Sequence, residues 1–131
     1  TGTLTQNKMT VVELANLEGK LSSSGAEAAE ILEFASLCNN CVISGGKAHG
    51  DPTEAAILLT CPTQKTELER EYPRVAEIPF TSARKMMTTV HRIGNHQYRI
   101  ITKGAPDLLL HKCAYCHTLN AGKPPHPFPQ E

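Results

Sequence analysis

Glu77-Ile-Pro-Phe80-Thr-Ser-Ala-Arg-Lys85-Met-Met-Thr-Thr-Val-His-Arg-Ile93-Gly-Asn-His96-Gln-Tyr-Arg-Ile-Ile-Thr-Lys103-Gly-Ala105 is the stretch whose reading decides the fold. Its β-branched and aromatic residues flank a Gly94-Asn95 turn, so it reads as two strands, Lys85–Ile93 and His96–Lys103, joined as a hairpin. Turn length sets which side chains share a face. A two-residue loop pairs Ile93 with His96 and sends Lys85 and Lys103 to opposite faces. A three-residue loop, or a bulge of equal effect, puts Lys85, Met87 and Lys103 on one face and Met86, Val90, Tyr98 and Ile100 on the other. Phe80 and Lys85 stand at the start of this unit, and Lys103 at its end before Gly104 and Ala105. An aromatic ring and two cations on one small sheet suit an adenine and a polyphosphate. Taken singly, Phe80 is more often a core aromatic than a stacking platform, and Lys85 and Lys103 are usually solvated sheet-edge lysines.

Upstream, Arg74–Phe80 reads as a third strand, and Pro106–His111 after Gly104 as a short helix. Small residues at Gly104 and Ala105 allow close approach to the backbone, and the helix behind them offers N–H groups to an anion. Ala26–Leu37 has apolar residues near helical spacing, with Ser24 as its expected N-cap and Glu27 completing a capping box. Asp51-Pro-Thr-Glu54 is a second helix start, with Asp51 as cap, Pro52 in the first turn and Glu54 placed to bond back to the cap. Thr66–Arg70 reads as a further helical turn, Met9–Leu14 as a loose strand, and Asn39–Gly50 as a connecting loop. Gly122–Pro129, rich in proline, is excluded from any central strand. The order implies an α+β fold, an antiparallel sheet flanked by a helical pair.

Composition narrows the function classes. The 131 residues suffice for one domain with a real core, and the 13 basic and 13 acidic residues balance. That balance disfavours a nucleic-acid partner. No apolar run approaches the ~20 residues that cross a bilayer. The start at Thr1 without Met, and without a leader pattern, leads us to expect a fragment or processed product. Five cysteines in a chain of this kind point to a reducing compartment. Two Cys-x-x-Cys pairs, Cys38/Cys41 and Cys113/Cys116, offer a tetrathiolate zinc site and with it a zinc-stabilised interaction module. Cys113-Ala-Tyr-Cys116-His117 also has the spacing of a c-type haem attachment, although no axial Met partner is evident.

In order along the chain, four motifs together resemble the nucleotide-binding (N) domain of type II P-type cation-transporting ATPases, the calcium-pump and sodium-pump group. They are Thr1-Gly-Thr-Leu-Thr5, Gly50-Asp-Pro-Thr-Glu54-Ala-Ala56, Phe80-x-Ser82-x-Arg84-Lys85-x-Met87 and Lys103-Gly-Ala-Pro-Asp107. The resemblance implies that Glu54 contacts the adenine amino group and Phe80 stacks on the ring. It puts Lys85, Lys103, Gly104 and Ala105 beside the nucleotide, and Thr1 and Gly2 near the transferred phosphate. Ser82 stands where many calcium pumps carry an arginine, with Arg84 as a substitute. Residues 1–8 would be a hinge or remnant of the phosphorylation domain, and 9–131 the N domain, continuing past Glu131. ATP and Mg2+ are the implied cofactors. The implied partners are the phosphorylation and actuator domains and the membrane helices of the same pump, making this a cytoplasmic domain of an integral membrane protein. The acceptor aspartate would precede Thr1, so the chain itself would hold no catalytic residue and no metal ligand. A domain of this fold that binds nothing and serves only as a regulatory surface is the remaining alternative.

Overall fold

The computed structural model describes residues 8–16, 18–117 and 126–127. In chain order the elements are β1 (Ala15–Asn16), β2 (Gly19–Lys20), α1 (Ala26–Leu37), β3 (Val42–Ser44), β4 (Lys47–His49), α2 (Pro52–Thr60) and α3 (Lys65–Glu71). They continue with β5 (Arg74–Ile78), β6 (Met86–Gly94), β7 (Gln97–Gly104), α4 (Pro106–Leu110), β8 (Tyr115–Cys116) and β9 (His126–Pro127). The architecture is α+β, a three-stranded antiparallel sheet in the order β5-β6-β7 with α1, α2 and α3 layered beside it.

The helices form for local reasons. Ala28, Leu32 and Ser36, spaced four apart, make a buried stripe on α1, and Leu37 extends it. Burial of Leu32, Leu37 and Leu68 contributes about 1.5–3 kcal/mol for each side chain. The cap of α1 differs from expectation. Gly25 is the N-cap, without a side-chain bond, and Glu27 accepts from Asn16 Nδ2 at 3.0 Å instead of closing a capping box. α2 starts as its sequence dictates, with Asp51 Oδ1 accepting from the N–H groups of Thr53 at 2.8 Å and Glu54 at 3.2 Å.

The sheet register settles the parity question through the bulge alternative. Asn95 and His96 form the turn, Gly94 pairs with Gln97, and the register shifts between Arg92 and Gly94. Ile93 is therefore a bulge residue, and His96 takes a left-handed φ of 58°. From Arg92↔Tyr98 to Met87↔Lys103 the pairing is the one a three-residue loop would have given. Met87, Thr89, His91, Arg99, Ile101 and Lys103 share the face toward the helices. Met86, Thr88, Val90, Tyr98 and Ile100 share the other. Lys85 lies before the strand with a φ of 55°, so strand parity does not place its side chain.

β6 is central, and Met86 through Thr89 are all buried. Cys38 at the end of α1 meets the sheet from the helical side, its thiol directed at the carbonyls of Met87 and Ile101, each at 3.7 Å. Arg99 stacks over the Phe34 ring at 4.6 Å and the Tyr72 ring at 5.6 Å, tying β7 to α1. Two stretches depart from the sequence reading. Residues 8–14 have no regular structure and are not a strand. Conversely, Val42–His49 is a small hairpin whose turn residues Gly45 and Gly46 have φ of 59° and 76°. Both central residues at positive φ favour the I′ geometry that matches strand twist. At the C-terminal side, Pro127 belongs to a two-residue edge pairing with Tyr115, a position where proline is tolerated.

Gly104 is required by packing. A Cβ there would lie 2.5 Å from the Lys85 carbonyl oxygen and 2.7 Å from Met86 Cγ. Gly104→Ala must displace backbone, so it should destabilise the fold by about 1–3 kcal/mol, read as a lowered urea midpoint. An unchanged midpoint would show that the β6 start moves freely.

His91 provides a second test. It is fully buried, with Nδ1 donating to the Tyr72 carbonyl at 3.0 Å and Nε2 accepting from the Thr89 hydroxyl at 2.8 Å. Burial holds its pKa below the ordinary value; Arg74 and Arg99 act in the same direction, while the Tyr72 carbonyl and Glu69 oppose it. The unfolded imidazole, titrating near about 6.5, takes up its proton first. The contribution of His91 to stability is thus full above that value and declines as pH falls through it toward the lower folded pKa. Urea midpoints should drop between about pH 7 and about pH 5, with His91→Gln shallower than wild type over that window. Parallel slopes for the two proteins would remove His91 as the cause.

Candidate functional site

At the open end of the sheet, where β6 begins and β7 finishes, the N-terminus of α2 comes beside β7. The Glu54 carboxylate does not bond back to its own helix cap. Its Oε1 pairs with Lys103 Nζ at 2.5 Å, and its Oε2 accepts the Asn40 backbone N–H at 3.0 Å. Asn39 Nδ2 donates to the Glu54 carbonyl at 3.0 Å, so main chain and side chain are both anchored. The pair is partly desolvated, the Glu54 side chain being 16% exposed and that of Lys103 31%. Met87, paired with Lys103 across the strands, lies beneath, and Asn40 Nδ2 approaches its sulfur at 3.8 Å.

The turn that supplies Asn40 is held from two sides. Arg74 donates to the carbonyls of Leu37 at 2.9 Å and Asn39 at 2.8 Å, and to Asn40 Oδ1 at 2.9 Å. Lys65 Nζ donates to the carbonyls of Asn39 at 2.6 Å and Cys41 at 2.7 Å. Burial pulls the Lys65 pKa below the ordinary lysine value, Arg74 adds to this, and Glu69, Glu54 and Cys41 act against it. Asn39, Asn40, Lys65 and Arg74 form this support, and sequence reasoning misses all four. Asn39-Asn40 directly after an amphipathic helix is the one local signal, since Asn favours such ends; Asn39 Oδ1 duly accepts the Cys41 N–H at 2.8 Å. Nothing local marks Lys65 or Arg74.

The other sequence-nominated residues distribute unevenly. Phe80 lies just past β5 at the same end of the sheet, and 60% of it is exposed, which a stacking platform needs and a core residue does not. Ser82 is exposed in the turn that follows. Arg84 is turned elsewhere: its guanidinium donates to the Met86 carbonyl at 3.2 Å and to the Thr88 hydroxyl, which belongs to the sheet face away from Lys103. Arg84 and Lys103 thus lie on opposite sides of the sheet, because the backbone turns at Lys85. Lys85 is exposed, and among the described residues its ammonium makes no ion pair. Gly104 closes on the Lys85 carbonyl, and Ala105 caps α4, its carbonyl accepting the N–H groups of Leu108 and Leu109 at 3.1 and 3.0 Å. Thr1 and Gly2 lie outside the described residues.

The tetrathiolate alternative is not assembled. Cys38 and Cys41 are fully buried at the joint of α1 and the sheet, Cys113 is exposed beyond α4, and no group of three or more His, Cys, Asp or Glu among the described residues is placed to hold a metal. A cavity of ≈ 630 Å³ lies elsewhere, between residues 11–14, residues 20–25 and the α1 and α2 helices, lined largely by Val11, Leu14, Leu21, Ala29, Leu32 and Pro62. Its charged lining residues, Glu13 and Lys20, pair with each other at 3.6 Å, so it lacks a convergent reactive group. Among the described residues no helix is long and apolar enough to cross a membrane.

Comparison with known proteins identifies the family. Residues 27–124 match the family described as P-type ATPase, cytoplasmic domain N. The chain is 42% identical over 132 residues to a protein named calcium-transporting ATPase 1 of Bacillus cereus, covering 94% of the chain and 14% of that protein. A calcium-transporting ATPase of Listeria monocytogenes is 38% identical over 95% of the chain and 15% of its own length. The sodium/potassium-transporting ATPase subunit alpha-1 of Oreochromis mossambicus is 32% identical over 86% of the chain and 14% of its own length. The chain therefore spans about one-seventh of the relatives it matches, and it belongs to the family of P-type ATPase cytoplasmic N domains.

Proposed function

We propose that this domain binds ATP and presents its γ-phosphate to an aspartate carried elsewhere in a full-length cation pump, most simply a calcium pump, as the names of its bacterial relatives suggest. Residues 9–131 would form the binding domain and 1–8 its junction with the phosphorylation domain. The full-length protein would be a hydrolase coupled to ion transport, with this domain on the cytoplasmic side of the membrane. The observation that carries the reading is the Glu54 carboxylate, held at the N-terminus of α2 by Lys103 and the Asn40 N–H.

A carboxylate fixed in this way accepts the exocyclic amine of adenine, and an exposed Phe80 at the same end of the sheet offers a face for the ring. Stacking and one charge-assisted hydrogen bond would hold the base while the phosphates project outward past Lys85. Magnesium would travel with the phosphates; no carboxylate cluster among the described residues offers it a seat. Contacts confined largely to the base support modest affinity, on the order of 0.1–1 mM. Such a domain supplies positioning and electrostatics for phosphoryl transfer, while the nucleophile comes from outside.

Titration with ATP while following backbone amide shifts is the direct test. Glu54, Phe80, Lys85 and Lys103 should shift together and saturate with a Kd on the order of 0.1–1 mM, and Phe80→Ala should weaken binding at least about tenfold. Absence of any shift at millimolar ATP, or an unaltered Kd in Phe80→Ala, would overturn the reading.

A further inference from the structure

The end of the sheet remote from Glu54 carries a groove that the proposed function does not use. β6 is nine residues long, so its Gly94 end lies about 25 Å from its Met86 end. There a cavity of ≈ 480 Å³ opens between the end of α3 and the β6–β7 turn, with Arg70, Pro73, Arg92, Ile93 and Tyr98 in its lining. We propose that this groove docks an acidic peptide segment of a partner polypeptide, with the Arg70 and Arg92 guanidiniums receiving its carboxylates. The proposal goes beyond the nucleotide reading and does not depend on it.

Most guanidiniums and several ammonium groups of the chain are already engaged. Lys20 and Lys103 pair with carboxylates, Lys65, Arg74 and Arg84 donate to carbonyl or hydroxyl oxygens, and Arg99 stacks on two rings. Arg70 and Arg92 are the exceptions among the arginines: both are exposed, and among the described residues neither guanidinium has an ion pair, hydrogen bond or ring contact. Glu71, the one carboxylate among the described lining residues, is drawn instead to the Tyr72 hydroxyl, whose pKa it raises. Two like charges facing one concavity without a counter-ion repel, and an anion entering between them relieves that repulsion. Their backbones are fixed. Arg70 lies in the last turn of α3, and the Arg92 N–H donates to the Pro73 carbonyl at 3.0 Å while Arg92 pairs with Tyr98, next to the Ile93 bulge.

A guanidinium takes a carboxylate through two parallel N–H donors, which suits Asp and Glu side chains. The rest of the lining favours a peptide over a bare anion. Pro73, Ile93 and Tyr98, the last 55% exposed, offer apolar surface that inorganic phosphate cannot use. A peptide lays an apolar side chain there while its acidic neighbours reach the arginines.

The test titrates the protein with a capped Glu-Asp-Glu-Leu-Glu-Asp peptide while following backbone amide shifts. Shifts should concentrate at residues 70–73 and 92–98 and saturate with a Kd on the order of 0.1–1 mM at low salt, weakening as salt rises. Arg70→Gln and Arg92→Gln should each weaken binding about three- to tenfold, with Arg92→Lys retaining part of the affinity. Lys112→Gln, the same charge change at an exposed residue outside the groove, should leave the Kd unchanged. The Gln-Asn-Gln-Leu-Gln-Asn peptide should not bind, and saturating ATP should leave the acidic peptide in place. An equal loss in Lys112→Gln, equal binding of the neutral peptide, or displacement by ATP would overturn the proposal. So would saturation of the groove by inorganic phosphate, or binding to phosphatidylserine vesicles through these arginines, with no peptide binding. Peptide binding in a protein that shows no shift with ATP would refute the nucleotide reading alone.

Discussion

Carbonyl groups at the end of α1 impose the constraint on which the rest depends. A helix leaves its last carbonyls without intrahelical donors, and here that end is pressed against a sheet where water has little access. Arg74 from β5 donates to the carbonyl of Leu37, the last residue of α1, and Arg74 and Lys65 of α3 donate to the carbonyls of Asn39 and Cys41 in the turn that follows, at 2.6 to 2.9 Å. Each charged hydrogen bond is worth about 1.5–3 kcal/mol, and each buried carbonyl left unpaired would cost a similar amount. Both cations also oppose the negative end of the α1 dipole. One cluster therefore joins two helices to the sheet, and it fixes the Asn39–Cys41 turn whose N–H holds Glu54.

Local information in the sequence is sufficient where local physics decides. The bounds of α1, the Asp51 cap with Pro52 in the first turn, and the three main strands follow from periodicity, capping and turn chemistry within a few residues. The failures are tertiary. Glu54 at the third position of α2 has every local reason to close a capping box, yet Lys103, 49 residues away, outcompetes the cap with a full charge. Glu27 leaves its cap for Asn16 in the same way. The β3–β4 hairpin reads as a loop if its glycines count only as breakers, whereas consecutive positive φ angles are what a tight hairpin turn uses. Phe80 and Lys103 are legible as candidates, but the pairing of Lys103 with Glu54 is not, since no spacing rule reveals which cation is already paired.

The bulge at Ile93 illustrates how a small backbone irregularity reaches a site at the other end of a strand. Without it, the turn at Asn95 and His96 would shift the register of β7 by one residue along its whole length. Lys103 would then leave the helical face and Glu54, and Arg99 and Ile101 would no longer stand opposite His91 and Thr89. His96 at a φ of 58° is the conformational cost of this arrangement, modest for a histidine and small beside a misregistered core. Register, and not the identity of the lysine alone, is what brings a β7 cation to an α2 carboxylate.

For a domain that hands a phosphoryl group to a neighbour, the placement of charge has a functional logic. Strong fixed cations on every phosphate would stabilise ATP and ADP before and after transfer and slow the release of product. Binding that is uniform in this sense lowers dissociation constants without accelerating the chemical step. On the proposed function, the neutral Lys103–Glu54 pair would direct recognition to the base, the part of the nucleotide that does not change in the reaction. Lys85 is exposed and outside the strand, and under the proposed function it would be the one unpaired cation among the described residues of the site near the phosphates, leaving the decisive contacts to the domain that carries the acceptor. The balanced charge of the chain, 13 basic against 13 acidic residues, would suit the proposed role of holding the unreactive end of a nucleotide while the reactive end is stabilised by other parts of the full-length protein.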